Sequence, residues 1–146
     1  MNEELEEQLY KNHPILFENN EIPIEIGDGW FTIIDTLCAC LCKDFDKIHK
    51  EILFCTDEIR ADQLRAKLEV EKDRLPLMVQ VKEKFGDLRI YYSRTSESAV
   101  WIEALVSFAE EMCSRTCNSC GKPGRKIAKE ALSVVCNGCR SKSFKV

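Results

Sequence analysis

The sequence predicts a small α+β fold: helices, one antiparallel β-hairpin, and a cysteine-paired ribbon or knuckle at the C-terminal end. Three patterns predict it. Apolar residues recur at helical spacing between Trp30 and Phe45. Apolar and polar residues alternate on both sides of Lys84-Phe85-Gly86-Asp87. Two Cys-x2-Cys pairs close the chain. With 146 residues, 45% hydrophobic and 32% charged, the composition is that of a globular domain with room for one small appended module.

Each element has a local reason. Residues 2–11 read as a short helix with Leu5 and Leu9 one turn apart, stopped by Pro14. Residues 15–26 contain Pro23 and read as extended or irregular. Trp30, Ile33, Ile34, Leu37, Cys38, Leu41 and Phe45 then line one face of a helix. Asp28 stands where an N-cap belongs, and its carboxylate suits the positive end of the helix dipole. A further helical stretch covers 46–72, with a break near Thr56-Asp57 and sparse apolar positions, so much of it should face water. Pro76 ends it. Leu77, Val79 and Val81 alternate with polar neighbours, as do Leu88, Ile90 and Tyr92, and Gly86 can supply the positive φ of a tight turn. Residues 77–93 therefore read as the hairpin. In the last helix, Trp101, Ala104, Leu105, Phe108 and Met112 form an apolar stripe expected to face the core, as is Trp30.

Charge divides the chain. The net charge is −4, but residues 1–113 carry 13 Lys and Arg against 24 Asp and Glu, while residues 114–146 carry 8 against one, Glu130. The shift marks a boundary between an acidic α+β body, 1–113, and a basic metal-binding module, 114–146. The acidic, polar N-terminus is unlike a secretory leader, and no apolar run reaches the length of a membrane span. A cytoplasmic location, with no membrane partner, is expected.

Nine cysteines are many for this length. Their odd number and the absence of a leader favour reduced thiols and metal over a disulfide framework. Cys117-Asn-Ser-Cys120 and Cys136-Asn-Gly-Cys139 are separated by fifteen residues, a spacing expected of a zinc site. Two residues between cysteines allow one tight turn to aim both thiolates at one ion, Gly121 and Gly138 ease those turns, and a short hairpin can bring the pairs together. Four thiolates complete a tetrahedron at about 2.3 Å from zinc and leave no open position, so the expected ion is a single structural Zn2+. Disulfides or an iron–sulfur cluster would use the same four residues. Cys38 and Cys42 lie one helical turn apart and read as buried, reduced thiols, with Cys40 pointing elsewhere. Cys55 and Cys113 have no partner at ligand spacing.

Little points to catalysis. There are two histidines, His13 and His49. No nucleophile–base pair, phosphate loop or paired-carboxylate motif stands out, and an HNH-type nuclease would need a histidine-rich hairpin. No catalytic residue is assigned. Arg115, Lys122, Arg125, Lys126, Lys129, Arg140, Lys142 and Lys145 give the module a basic surface, which suits nucleic-acid phosphates, but Phe144 is its sole aromatic for base stacking. Lys82, Glu83, Lys84 and Arg89 decorate the hairpin, where cross-strand charge pairing accounts for them. For a protein partner, the contact residues expected are Lys82, Lys84, Arg89, Arg125 and Lys126.

Three blocks carry a resemblance. Gly27-Asp28-Gly29-Trp30, then Val81–Gly86 with Leu88, Arg89 and Tyr91 or Tyr92, then Cys117-x2-Cys120-Gly121 resemble small zinc-knuckle proteins of phages and prophages. The second metal pair of that family often looks like Cys-x2-His; here it is Cys136 and Cys139. Residues 46–72 match no pattern of the family. The resemblance implies a phage or prophage origin and a zinc-bearing α+β fold. In size, acidity and origin the chain is also similar to phage-encoded anti-CRISPR proteins that inhibit Cas9-type (type II-A) nucleases. This implies a non-enzymatic inhibitor of a host protein, with such a nuclease as partner. A nucleic-acid-binding accessory protein using the basic tail is the alternative.

Overall fold

Asn2 opens the first helix, α1 (Glu3–Asn12): its side-chain oxygen accepts from the Leu5 N–H at 3.0 Å. The computed structural model describes residues 1–17, 22–93, 100–127 and 132–142. Asp28 does not cap its own helix as expected. Its two carboxylate oxygens accept from the Asn2 backbone N–H at 2.7 Å and the Asn2 amide at 2.9 Å, so it braces the start of α1 instead. The cause is a 3-10 turn over Asp28–Trp30, which delays the next helix, α2 (Phe31–Leu53), by a turn. Buried His13 ends α1 and reaches α2: its Nε2 lies 2.8 Å from Asp35 Oδ1.

Helix α2 is the central element, packed by α3 (Glu58–Arg74) and α4 (Val100–Cys113). The break expected near Thr56-Asp57 is present. Asp57 caps α3 by accepting from the Ile59 and Arg60 N–H groups. Ala61 is the one fully buried residue of α3, in line with its charge-rich sequence.

The hairpin consists of β2 (Met78–Lys84) and β3 (Asp87–Tyr92). Phe85 and Gly86 connect them with φ of 55° and 78°, both positive, as the tightest hairpin turns require. The strand alternation departs from expectation at one point. A register shift between Met78 and Gln80 turns Met78 inward, 3% exposed, and Val79 outward, 52% exposed; a bulge reverses which residues face the core. The stretch read as irregular supplies a third strand. β1 (Ile24–Glu25) pairs parallel to β2, giving a three-stranded sheet in the order β1-β2-β3.

The core joins Leu9, Leu16 and Phe17 from the N-terminal segment to Trp30 of the 3-10 turn, to Ile34, Leu37 and Leu41 of α2, and to Val81 and Leu88 of the hairpin. Trp30 is fully buried, as expected. The stripe expected of α4 is corrected. Ile102, Val106, Ala109 and Cys113 face the core, Leu105 is half-buried, and Trp101, Ala104, Phe108 and Met112 are exposed. Both sets recur at helical spacing, so periodicity alone does not choose between them.

The tail forms β4 (Arg125–Ile127) and β5 (Ser133–Val135), paired antiparallel, followed by α5 (Asn137–Lys142). Val134 joins the core of the body. No helix among the described residues is long and apolar enough to cross a membrane.

Candidate metal centre

The four cysteines singled out by spacing meet in space. One ligand atom each from Cys117, Cys120, Cys136 and Cys139 lies within 4.8 Å of the others, a group able to hold a metal ion. The β4–β5 pairing brings them together: Arg125 stands opposite Val135 and Lys126 opposite Val134, so the two pairs converge at the ribbon's open end.

Each pair sits in a turn that aims sulfur inward. In the first, the Gly121 N–H donates to the Cys117 carbonyl at 2.9 Å, with Gly121 at φ 72°, where a side chain would be strained. In the second, Cys136 precedes α5; the Cys139 N–H donates to Cys136 Sγ at 3.4 Å and the Arg140 N–H to the Cys136 carbonyl at 3.0 Å. Gly138 plays no comparable part. It has no positive φ, and a Cβ there would meet Cys136 Sγ at an ordinary 3.9 Å.

The donor set fits a tetrahedral ion. Four thiolates at about 2.3 Å from a centre stand roughly 3.8 Å apart; Cys120 Sγ and Cys136 Sγ are 3.6 Å apart. The cluster also divides its protons unevenly. The Cys139 N–H, with help from neighbouring sulfurs, holds the Cys136 thiol down to about 6. Burial opposes ionisation of Cys117, but the N–H groups of Cys136, Ser119 and Cys120 still bring it below the ordinary thiol value. Cys139 donates its S–H to the Cys120 and Cys136 sulfurs, which pushes its thiol up to about 12. Thiolate is the form that binds metal.

Cys113 does not compete for the ion. It is fully buried on the core face of α4, and burial pushes its thiol up to about 12. Burial likewise raises Cys38, and takes Cys42 to about 12. Both have the environment of inert core thiols. Cys40 is exposed, and Cys55 donates to the Asp57 carbonyl at 3.3 Å.

Sequence reading missed what holds the first knuckle. The Gly29 N–H donates to the Asn118 carbonyl at 2.8 Å, the Gly27 N–H to Asn118 Oδ1 at 2.6 Å, and Trp30 Nε1 to the Thr116 carbonyl at 2.7 Å. A Cβ on Gly27 would strike Asn118, and one on Gly29 would strike the Cys117 carbonyl. The Gly-Asp-Gly-Trp segment is thus a clamp on the metal knuckle, and its glycines permit the close approach. The signal available beforehand was two glycines flanking a buried-type tryptophan; their partner lies some 90 residues away, beyond local pattern reading.

The residues considered for partner contact divide. Lys82 and Arg89 stand opposite one another across β2 and β3, and Lys82 Nζ lies 4.9 Å over the Tyr91 ring. Lys84 Nζ lies 5.7 Å from the Phe85 ring centre. Arg89 and Lys126 converge on Asp87, at 3.5 and 2.9 Å, which ties the module to the hairpin. Arg125 is exposed on β4. The charge pairing expected across the hairpin is corrected: Lys82 faces Arg89, a like charge, while Arg89 pairs with Asp87 on its own strand and Lys126 reaches Asp87 from β4. Lys129, Glu130, Phe144 and Lys145 lie outside the described residues. His13 meets a carboxylate, and its Nδ1 is buried with no hydrogen-bond partner among the described residues. The pair joins α1 to α2. Comparison with protein-family models, with curated proteins and with solved structures finds no match.

Proposed function

We propose that this protein is a non-enzymatic zinc protein, encoded by a phage or prophage, that binds and inhibits a host protein in the host cytoplasm, and that its target is an RNA-guided nuclease of the Cas9 type. The observation that carries the reading is the segregation of charge. The body holds 24 of the 25 acidic residues, and α1 turns Glu3, Glu4 and Glu7 outward. Such a surface complements a basic one, and nucleases that hold nucleic acid present basic surfaces. Occupying such a surface inhibits without any chemistry of the inhibitor's own.

The metal in this reading is one zinc ion on Cys117, Cys120, Cys136 and Cys139. Four cysteines favour zinc and leave no coordination position for water or substrate, so its role is structural. The segment it closes is too short to build a core of its own.

The nucleic-acid reading is the weaker one. Lys126 is engaged by Asp87, and Arg115 is paired with Glu111, so two of the module's cations already have carboxylate partners. The experiment that separates the readings combines the purified protein with a Cas9-type nuclease and its guide. Inhibitor function predicts co-elution and reduced DNA cleavage at several-fold excess. No co-elution and undiminished cleavage would refute the target. A mobility shift with free DNA or RNA that fades steeply with salt would favour the alternative.

A further inference from the structure

Helix α4 carries two apolar seams, each with the 4-3-4 spacing that keeps a row of side chains facing one neighbour. Ile102, Val106, Ala109 and Cys113 form the first and are buried in the body. Trp101, Leu105, Phe108 and Met112 form the second, one position round the helix. This one faces outward: Trp101 is 40% exposed, Phe108 66% and Met112 41%. Beside it runs a groove of about 320 Å3 between α2 and α4, lined by Ile33, Thr36, Leu37, Cys40, Leu105 and Ala109 among others, with no charged residue. A helix with two such seams is suited to lie between two layers, and one of its layers is missing among the described residues.

We propose that a second copy of this chain supplies it. The α2–α4 faces of two copies pack about a two-fold axis, with the α4 helices antiparallel and Phe108 of each copy seated toward the groove of the other. The seam is self-complementary in this arrangement. The register that sets Trp101 against Met112 of the second copy sets Leu105 against Phe108, so each ring meets a slimmer side chain, and the thioether meets an indole.

Charge permits it. The charged residues bordering the seam on its polar flank, Glu111 and Arg115, are paired with each other, so that rim of the seam is neutral. Antiparallel packing places Glu111 beside Ala104 of the second copy, whereas a parallel pair would oppose Glu111 to itself.

The area is also of the right order. Trp101, Phe108 and Met112 together show about 300 Å2, at roughly 150–250 Å2 for each large side chain. The largest apolar patch on a typical monomer is about 300–600 Å2 and is often functional. The groove and the polar edge of α2 extend it toward the roughly 800 Å2 per partner of a standard interface.

The test is the mass of the full, metal-loaded chain by light scattering and sedimentation over a wide concentration range. The expected result is a species of twice the 16.8 kDa chain mass at high concentration, with a blue shift of tryptophan emission as Trp101 is covered. Phe108→Glu should weaken the dimer at least about tenfold while leaving circular dichroism and metal content unchanged. Ser107→Glu, on the polar side of α4, should leave it intact. If Phe108→Glu fails to fold, Phe108→Ser reads the same position without a charge. A single-chain mass at every concentration overturns the proposal, as does a dimer that persists unchanged in a folded Phe108 variant.

Discussion

A methyl group on Gly29 would collide with the Cys117 carbonyl and crowd the Cys120 and Gly121 nitrogens. Nothing there is the flexible end of a side chain, so the backbone itself must move. Gly29→Ala should therefore cost about 1–3 kcal/mol and hasten metal loss to a chelator, read by denaturant unfolding and by chelation kinetics. Gly138→Ala is the contrast. Its Cβ has ordinary space and sits in α5, where alanine is favoured over glycine; stability should stay within about 0.5 kcal/mol of the parent. The cysteines divide in the same way. Cys113→Ala removes a buried sulfur that touches no ion and should keep full metal at a cost of about 1 kcal/mol. Cys120→Ser should lose the metal. At this scale the sequence was legible where chemistry is local. The Cys-x2-Cys spacing identified the four cysteines that meet and Gly121 identified its turn. It was not legible where the reason is a distant contact: Asp28 looked like a cap for the residues after it, yet it holds Asn2.

At the scale of elements, the hairpin offers a direct measurement. Phe85 adopts φ 55°, a conformation that costs a non-glycine residue about 1 kcal/mol or more and that asparagine tolerates well. Phe85→Asn would produce the Asn-Gly pair preferred in such turns. It would also remove the exposed Lys84–Phe85 contact, worth about 0.5 kcal/mol. The conformational relief is the larger, so a net gain of about 0.5 kcal/mol is expected in thermal unfolding. Periodicity found α1 to α4, the break before Asp57 and the two long strands, but not the six-residue α5. It misplaced the inward face twice, for one reason in each case. A bulge after Met78 shifts the strand by one residue, which exchanges its faces. Helix α4 has apolar residues around more than half its circumference, so two faces compete for the core. Strand β1, two residues long, is held by pairing with β2 and has no pattern of its own to detect.

At the scale of the molecule, the basic module is joined to the acidic body by several independent contacts: the clamp at Gly27–Trp30, the Lys126–Asp87 pair at 2.9 Å, and Val134 in the shared core. The charge boundary seen in the sequence marks a change of composition across which the chain continues to pack. Removing the metal should then act on both sides of it. Thiolates left without an ion no longer fix the knuckle, the Thr116 carbonyl no longer holds Trp30 Nε1, and buried Trp30 gains water. Chelation should therefore shift tryptophan emission to the red together with the loss of metal. An unchanged Trp30 environment would mean that the clamp stands without the ion. Acid should release the metal as well, because protons compete for the four sulfurs.

The account turns on four cysteines closing one structural site. Metal analysis of the purified chain, beside its Cys120→Ser variant, tests it most directly. The expected result is one zinc per parent chain, with the variant losing zinc and thermal stability together. Less than half an equivalent in the parent, or a variant that keeps full zinc and full stability, would contradict it.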